Sequence, residues 1–133
     1  MWRYQPSTTE IQVPANVSQS YKLRKIVAFL ASGLLYKPSD IADVELAVGE
    51  AFTNAVKYGD GDSKVSVKVD SSSNRELSVE LKYRGCEFDT TVICPPEPTH
   101  TGGYGRFIMK HVTDGMRYWF KDGETTVRLT KRR

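Results

Sequence analysis

An acid and an amide, Glu50 and Asn54, stand one helical turn apart in the stretch Val44–Gly59, VELAVGEAFTNAVKYG. Residues at i and i+4 on a helix are stacked neighbours, so the two side chains can address one ligand together. Farther on, Gly102-Gly103-Tyr104-Gly105 feeds a short apolar-rich run that begins at Arg106. A glycine-rich turn opening a helix offers free backbone N–H groups and the positive end of the helix dipole, which suits an anion such as a phosphate. Each feature also has a plainer reading. The acid–amide pair would serve equally as solvated helix surface, and the glycines as a turn that needs positive φ. Their occurrence together, with a further glycine-bearing loop at Arg84-Gly85-Cys86, singles them out.

The elements that must position these residues follow from periodicity. Ile41, Val44, Val48, Ala51, Phe52 and Ala55 recur at three- and four-residue steps and predict one apolar helix face, with Glu50 and Asn54 on the opposite side. Ser39 is the expected N-cap, Asp40 and Asp43 place negative charge in the first turn, and Gly59 ends the helix. Upstream, Thr9–Val13 reads as a strand closed by Pro14, and Asn16 is placed to cap a helix running to about Leu35. Downstream, Lys64–Asp70 and Glu76–Tyr83 alternate. Val65, Val67 and Val69, then Leu77, Val79, Leu81 and Tyr83, point inward, as in an antiparallel hairpin. Asp60-Gly61-Asp62 and Ser71-Ser72-Ser73-Asn74 are turns. Gly85 to Tyr104, holding Pro95, Pro96 and Pro98, is a long connection of the kind that serves as a lid or binding loop. A short helix is expected over Arg106–Asp114. Met116–Lys121 and Thr125–Thr130 then form a hairpin around Asp122-Gly123. Helices early and strands in hairpins predict an α+β two-layer sandwich, a mostly antiparallel sheet covered by helices on one face.

The chain of 133 residues fits one domain spanning 1–133. Its 39% hydrophobic and 26% charged content is that of an ordinary globular protein. The formal net charge is +3, and the one tight basic cluster, Lys131-Arg132-Arg133, reads as a solvated tail. Direct nucleic-acid binding is not expected from that distribution. Cys86 and Cys94 are expected as reduced thiols, and with His100 and His111 they match no zinc spacing. Met1 leads into polar residues, and the longest apolar run, Ile26–Tyr36, is broken by Ser32 and Gly33. It falls short of the ~20 residues that a membrane span needs, so a cytoplasmic protein with no membrane contact is expected. Trp2 and Trp119 read as packing residues, and His111 as a surface residue.

Glu50-Ala51-Phe52-Thr53-Asn54-Ala55-Val56 resembles the E-A-x-x-N-A-V signature of the histidine-kinase-like ATPase superfamily (GHKL, Bergerat fold). Within it the chain is most similar to the anti-sigma-factor serine/threonine kinases, also called anti-sigma regulatory factors. The resemblance runs from about Thr9 to Lys131. Arg84-Gly85-Cys86-Glu87-Phe88-Asp89 is similar to the family box D-x-G-x-G-F-D, Gly103-Tyr104-Gly105 to its G-x-G, and Thr125-Thr126-Val127-Arg128-Leu129 to its G-T-T-V-x-L ending. The resemblance implies ATP and magnesium as cofactors. Asn54 would hold the metal, Glu50 would be the general base on a serine hydroxyl, and Gly103 and Gly105 would receive the phosphates. Gly85 and Thr125 would line the nucleotide site, and Arg84, Arg106 and Lys57 are the nearest cations. Homodimerisation, a sigma factor and a STAS-domain anti-anti-sigma factor are the implied partners. The sequence departs from the pattern at Tyr83, where the family's adenine-reading Asp stands, at Glu87 in place of a box glycine, and at Glu124 before the threonine pair. Those departures open a second reading, a non-catalytic binding module whose base pocket is filled by Tyr83 and which sequesters a sigma factor or STAS partner.

Overall fold

The central helix, α2, spans Pro38–Tyr58 in the computed structural model, which describes residues 6–35, 37–60, 64–85 and 104–133. Expectations placed on Trp2, Tyr36, Gly61 and Asp62, and on positions 86–103 with Cys86, Glu87, Cys94, His100, Gly102 and Gly103, lie outside those residues. The helix begins one residue before the expected cap. Lys37 is the extended N-cap residue, without a side-chain bond, and Pro38 follows at the start of the helix. A proline there loses no bond, because its missing N–H would be unpaired anyway, and its fixed φ already suits the helix. Ser39 therefore lies inside the first turn rather than capping it. Asp40 is in that turn and Asp43 is beyond it, while Gly59 ends the helix as expected.

The apolar stripe of α2 is buried, with Val44, Ala47, Val48, Ala51, Phe52 and Ala55 in the core. Beside it lies α1 (Ser20–Ala31), entered through a 3-10 turn at Val17–Gln19. Asn16 caps that turn, its side-chain oxygen accepting from the Ser18 N–H at 2.9 Å. The helix ends at Ala31 rather than near Leu35. Ser32 Oγ donates to the Phe29 carbonyl at 2.6 Å, offering the backbone a local alternative to further helix. Leu34 and Leu35 then tuck into the core from the turn itself.

The sheet comprises β1 (Thr8–Pro14), β2 (Lys64–Asp70), β3 (Glu76–Arg84), β4 (Gly115–Lys121) and β5 (Glu124–Arg132), and α3 (Tyr104–Val112) precedes β4. The strand order is β1-β2-β3-β5-β4, with every neighbouring pair antiparallel. Val65, Val67, Val69, Leu77, Val79, Leu81, Val127 and Leu129 form the buried face. Each such side chain fully buried contributes about 1.5–3 kcal/mol. The opposite face is polar. Arg128 and Glu80 are cross-strand partners there, with two N–H groups of the guanidinium donating to Glu80 Oε2 at 2.6 and 2.9 Å. Asp122 and Gly123 take φ of 54° and 78°, the positive pair that a two-residue hairpin turn of matching twist requires. The architecture is the expected α+β sandwich.

Lys131 is not part of a solvated tail. Strand β5 continues to Arg132, and alternation places Lys131 on the same face as Val127 and Leu129. Its ammonium donates to Asp43 Oδ2 at 3.0 Å and to the Val112 carbonyl at 2.9 Å, with Asp40 Oδ1 at 3.9 Å. One cation thus ties β5 to the start of α2 and the end of α3. Trp119 packs on the polar face between the guanidinium groups of Arg117 and Arg128, each 5.6 Å from its ring, and His111 is exposed.

Candidate functional site

Asn54 is 5% exposed, so it does not share the solvated side of α2, on which Leu46, Thr53 and Lys57 are exposed. It lies on the flank that packs against α3, beside Tyr118 of β4. Glu50, one turn earlier, is half-buried. Gly105, in the first turn of α3, stands directly against that flank. A Cβ there would stand 2.8 Å from Glu50 Oε2 and 3.6 Å from Asn54 Nδ2. The carboxylate, the amide and the start of α3 therefore meet at one place. The first N–H groups of a helix have no intrahelical partner and carry the positive end of its dipole. Such an arrangement can hold an anion while a carboxylate stands ready to take a proton. Gly103, the other expected phosphate contact, lies outside the described residues.

One helical turn farther, the chain narrows to backbone on backbone. Gly59 and Gly85 form an isolated antiparallel bridge. A Cβ on Gly85 would lie 2.4 Å from the Tyr58 carbonyl oxygen and 2.5 Å from the Gly59 Cα. Gly85 is thus required by close approach between α2 and the end of β3. Just before it, Tyr83 is 3% exposed and is the cross-strand partner of Thr125, which is 1% exposed. Neither the Tyr83 hydroxyl nor Thr125 Oγ1 has a hydrogen-bond partner among the described residues. Burial pushes the Tyr83 phenol well above its ordinary value, and neighbouring Tyr118 adds to the rise. Thr125 is near enough to oppose it, but the two hydroxyls are not in bonding geometry.

Tyr118 joins the two ends. Burial pushes its phenol up to about 12, while the Asn54 side chain and the Arg106 charge act in the opposite direction. Its hydroxyl is 4.0 Å from Met109 Sδ, and the Arg106 guanidinium lies 5.3 Å from its ring centroid. Of the three cations expected near phosphates, Arg106 belongs to this cluster. Lys57 is exposed and rests 5.3 Å from the Tyr58 ring, and Arg84 is exposed at the end of β3, opposite Glu124. Tyr58 and Tyr118 were not among the residues expected here. The period-two pattern of β4, Met116-x-Tyr118, held the signal for Tyr118, because it sets that ring on the helix side.

Residues 13–131 match the histidine kinase-like ATPase domain family. The serine-protein kinase RsbW of Bacillus velezensis is 31% identical over 135 aligned positions, covering 92% of this chain and 83% of the relative. RsbW of Bacillus subtilis strain 168 shows the same identity and coverage, and RsbW of Listeria innocua is 27% identical, covering 91% and 84%. Among solved structures, that of the RsbU and RsbW domains of Rv1364c from Mycobacterium tuberculosis superposes with a TM-score of 0.73 at 20% identity. It covers 95% of this chain and 32% of that longer one. The SiaB–SiaC complex from Pseudomonas aeruginosa gives 0.69 at 14% identity, covering 92% and 88%. At those identities the two structures speak for the fold alone. With the family matched over residues 13–131 and a relative at 31% identity over 92% of this chain, the protein belongs to the histidine kinase-like ATPase family.

Proposed function

We propose that this protein is an anti-sigma regulatory factor of a partner-switching system, phosphorylating a serine on a STAS-type anti-anti-sigma partner at the expense of ATP with magnesium. The observation that carries the reading is the meeting of Glu50, Asn54 and the first turn of α3 at Gly105. Kinship with the RsbW serine-protein kinases supports a protein serine as the acceptor. In this reading the protein is a cytoplasmic homodimer that also binds a sigma factor. No helix among the described residues is long and apolar enough to cross a membrane.

The residues present fit the nucleotide and its metal. Magnesium keeps several waters and is held by one or two protein ligands together with substrate phosphates. The buried Asn54 amide offers one oxygen ligand of that kind. When bound, ATP with magnesium would supply the transferable phosphoryl group and neutralise its charge. The chain's own part is positioning. Gly105 would bring its backbone N–H to the phosphates, the role that the resemblance also gives Gly103. Gly85 and Thr125 line the other end of the site. Glu50 accepts the proton of the attacking serine hydroxyl at its carboxylate, the role of a general base within hydrogen-bond reach.

Transfer of labelled phosphate to a STAS-domain protein tests the proposal, with ATP binding followed by calorimetry on the same samples. Glu50→Gln is expected to abolish transfer and leave binding intact. Transfer by that variant at the wild-type rate would remove Glu50 as the base. A wild-type protein that binds no ATP at millimolar concentration would leave the fold as a docking module for its partners.

A further inference from the structure

Lys131 stands at the far end of the helix pair that carries the site. Its ammonium donates to Asp43 Oδ2 at 3.0 Å and to the Val112 carbonyl at 2.9 Å. Asp43 lies seven residues before Glu50 on α2, and Val112 lies seven residues after Gly105 on α3. Equal steps in opposite directions mean that the two packed helices run antiparallel. Lys131 joins them at one end, and Gly105 meets Glu50 and Asn54 at the other, about 10 Å away. Between the ends Met109 is wholly buried, four residues from Gly105 and three from Val112. With so central a seat, a tilt of α3 that shifts Val112 by about 1 Å shifts Gly105 by a similar amount in the opposite sense. Further bonds fasten the exit of α3 to β5. The Asp114 N–H donates to the Thr130 carbonyl at 2.8 Å, and the Arg132 N–H to Asp114 Oδ2 at 2.7 Å. The lysine is what brings α2 into this fastening.

Resting on the kinase reading above, we propose that Lys131 is a positioning residue for phosphoryl transfer. It sits about 10 Å from Glu50 and touches neither the acceptor serine nor the nucleotide. It fixes the separation of α2 and α3 at their shared end, and through the rigid helix it fixes the first turn of α3 against the Glu50 carboxylate. The ammonium also meets the negative end of the α3 dipole, while the positive end faces the site. A cation at this place therefore favours α3 as a formed helix as well as its orientation. Without it β5 still holds the exit of α3, but nothing polar at this end of the pair holds α2 to either.

Phosphate transfer from ATP to a STAS-domain protein tests this, together with amide hydrogen exchange of the protein without nucleotide. Lys131→Met is expected to slow transfer about tenfold, the scale of a displacement somewhat under 1 Å at the base. Its KM for the STAS protein should stay within about twofold of wild type, because the acceptor is not touched. In the nucleotide-free variant, exchange over residues 108–112 should quicken about tenfold more than exchange in β2. Asp43→Ala removes the α2 end of the link and is expected to slow transfer about threefold. Val67→Ala opens the core at β2, away from Lys131, and lowers stability by another route. It is expected to transfer within about twofold of wild type. Transfer by Lys131→Met at the wild-type rate overturns the inference and leaves the kinase reading intact. So does a Val67→Ala variant as slow as Lys131→Met, since the slowing then follows stability alone. Exchange that quickens equally in α3 and β2 overturns it as well, because α3 is then not what the lysine holds. A wild-type protein that transfers no phosphate overturns the kinase reading, and this inference with it. Urea unfolding of each variant confirms that the comparison is between folded proteins.

Discussion

Replacing Gly105 by alanine should separate stability from activity. The new Cβ would sit 2.8 Å from Glu50 Oε2, whereas ordinary contact begins near 3.4 Å. The carboxylate must therefore retreat by about 0.6 Å. It is the free end of a half-buried, flexible side chain, so the retreat costs little. Alanine in a helix is favoured over glycine by about 0.5–1 kcal/mol, and somewhat less in a first turn. The expected change in unfolding free energy is between zero and a gain of about 0.5 kcal/mol. Catalysis should respond in the other direction. A misplacement of about 1 Å at a reacting group can lower a rate on the order of a hundredfold, so 0.6 Å at the base predicts a loss of roughly tenfold. Urea unfolding by linear extrapolation measures the first quantity, and single-turnover phosphoryl transfer the second. Transfer within about twofold of wild type would refute the idea that Glu50 is set by contact with α3. A stability loss above about 1 kcal/mol would show that backbone, and not the carboxylate, bears the clash.

Gly85→Ala should behave in the opposite way, because its Cβ would meet the Tyr58 carbonyl and the Gly59 Cα, neither of which can swing aside. A loss of about 1–3 kcal/mol is expected in urea, and a variant as stable as wild type would show that the Gly59–Gly85 approach is dispensable. Lys131→Met keeps most of the buried stem but deprives Asp43 and the Val112 carbonyl of their donor. It should cost about 1–2 kcal/mol, partly screened by salt, and no change would reduce the lysine to its methylenes. Alkaline pH offers a further check. The folded-state value of Tyr118 lies above the ordinary one, so the unfolded chain releases the proton first. Stability is then full up to about pH 10 and falls as pH rises towards 12, on the order of 2 kcal/mol for this group. Tyr118→Phe should flatten that fall, and coincident pH profiles for variant and wild type would refute the assignment.

Much of this architecture is legible from alternation and period alone. The inward set of β2 and β3, the hairpin at Asp122-Gly123 and the apolar stripe of α2 all follow from spacing. What spacing misses is a second covering. A single helical period locates the side that meets the sheet, and Asn54 falls outside it. Only the arrival of α3 and β4 buries that amide, and no local pattern in α2 announces a partner so far along the chain. The closest hint is the abundance of small residues around it, Ala47, Gly49, Ala51 and Ala55, which permit close approach from several directions. Lys131 illustrates the reverse case. Its burial was available from the parity of Val127 and Leu129, but charge and proximity to the terminus pointed to a tail. Ser39 lost its capping place because Pro38, whose fixed φ suits the first helical position, moves the N-cap back to Lys37. The site itself was readable as a set of residues, whereas the unpaired hydroxyls of Tyr83 and Thr125 exist only once β3 and β5 pair.

The position of β1 at the sheet's margin shapes how the chain reaches this structure. Its partner is β2, and their side-chain contacts span separations of 54 residues for Gln12–Ser66 and 62 for Thr8–Asp70. The β2–β3 and β4–β5 hairpins close over short turns, on a timescale of microseconds. Pairing of β1 must instead close a loop containing both α1 and α2, and such non-local contacts form late. The strand that comes first in this sequence is thus among the last to find its place. Until it does, the outer side of β2 displays an unpaired row of N–H and C=O groups beside Val65, Val67 and Val69. That row is a template for any other extended chain, and the docking of Thr8–Pro14 is what removes it.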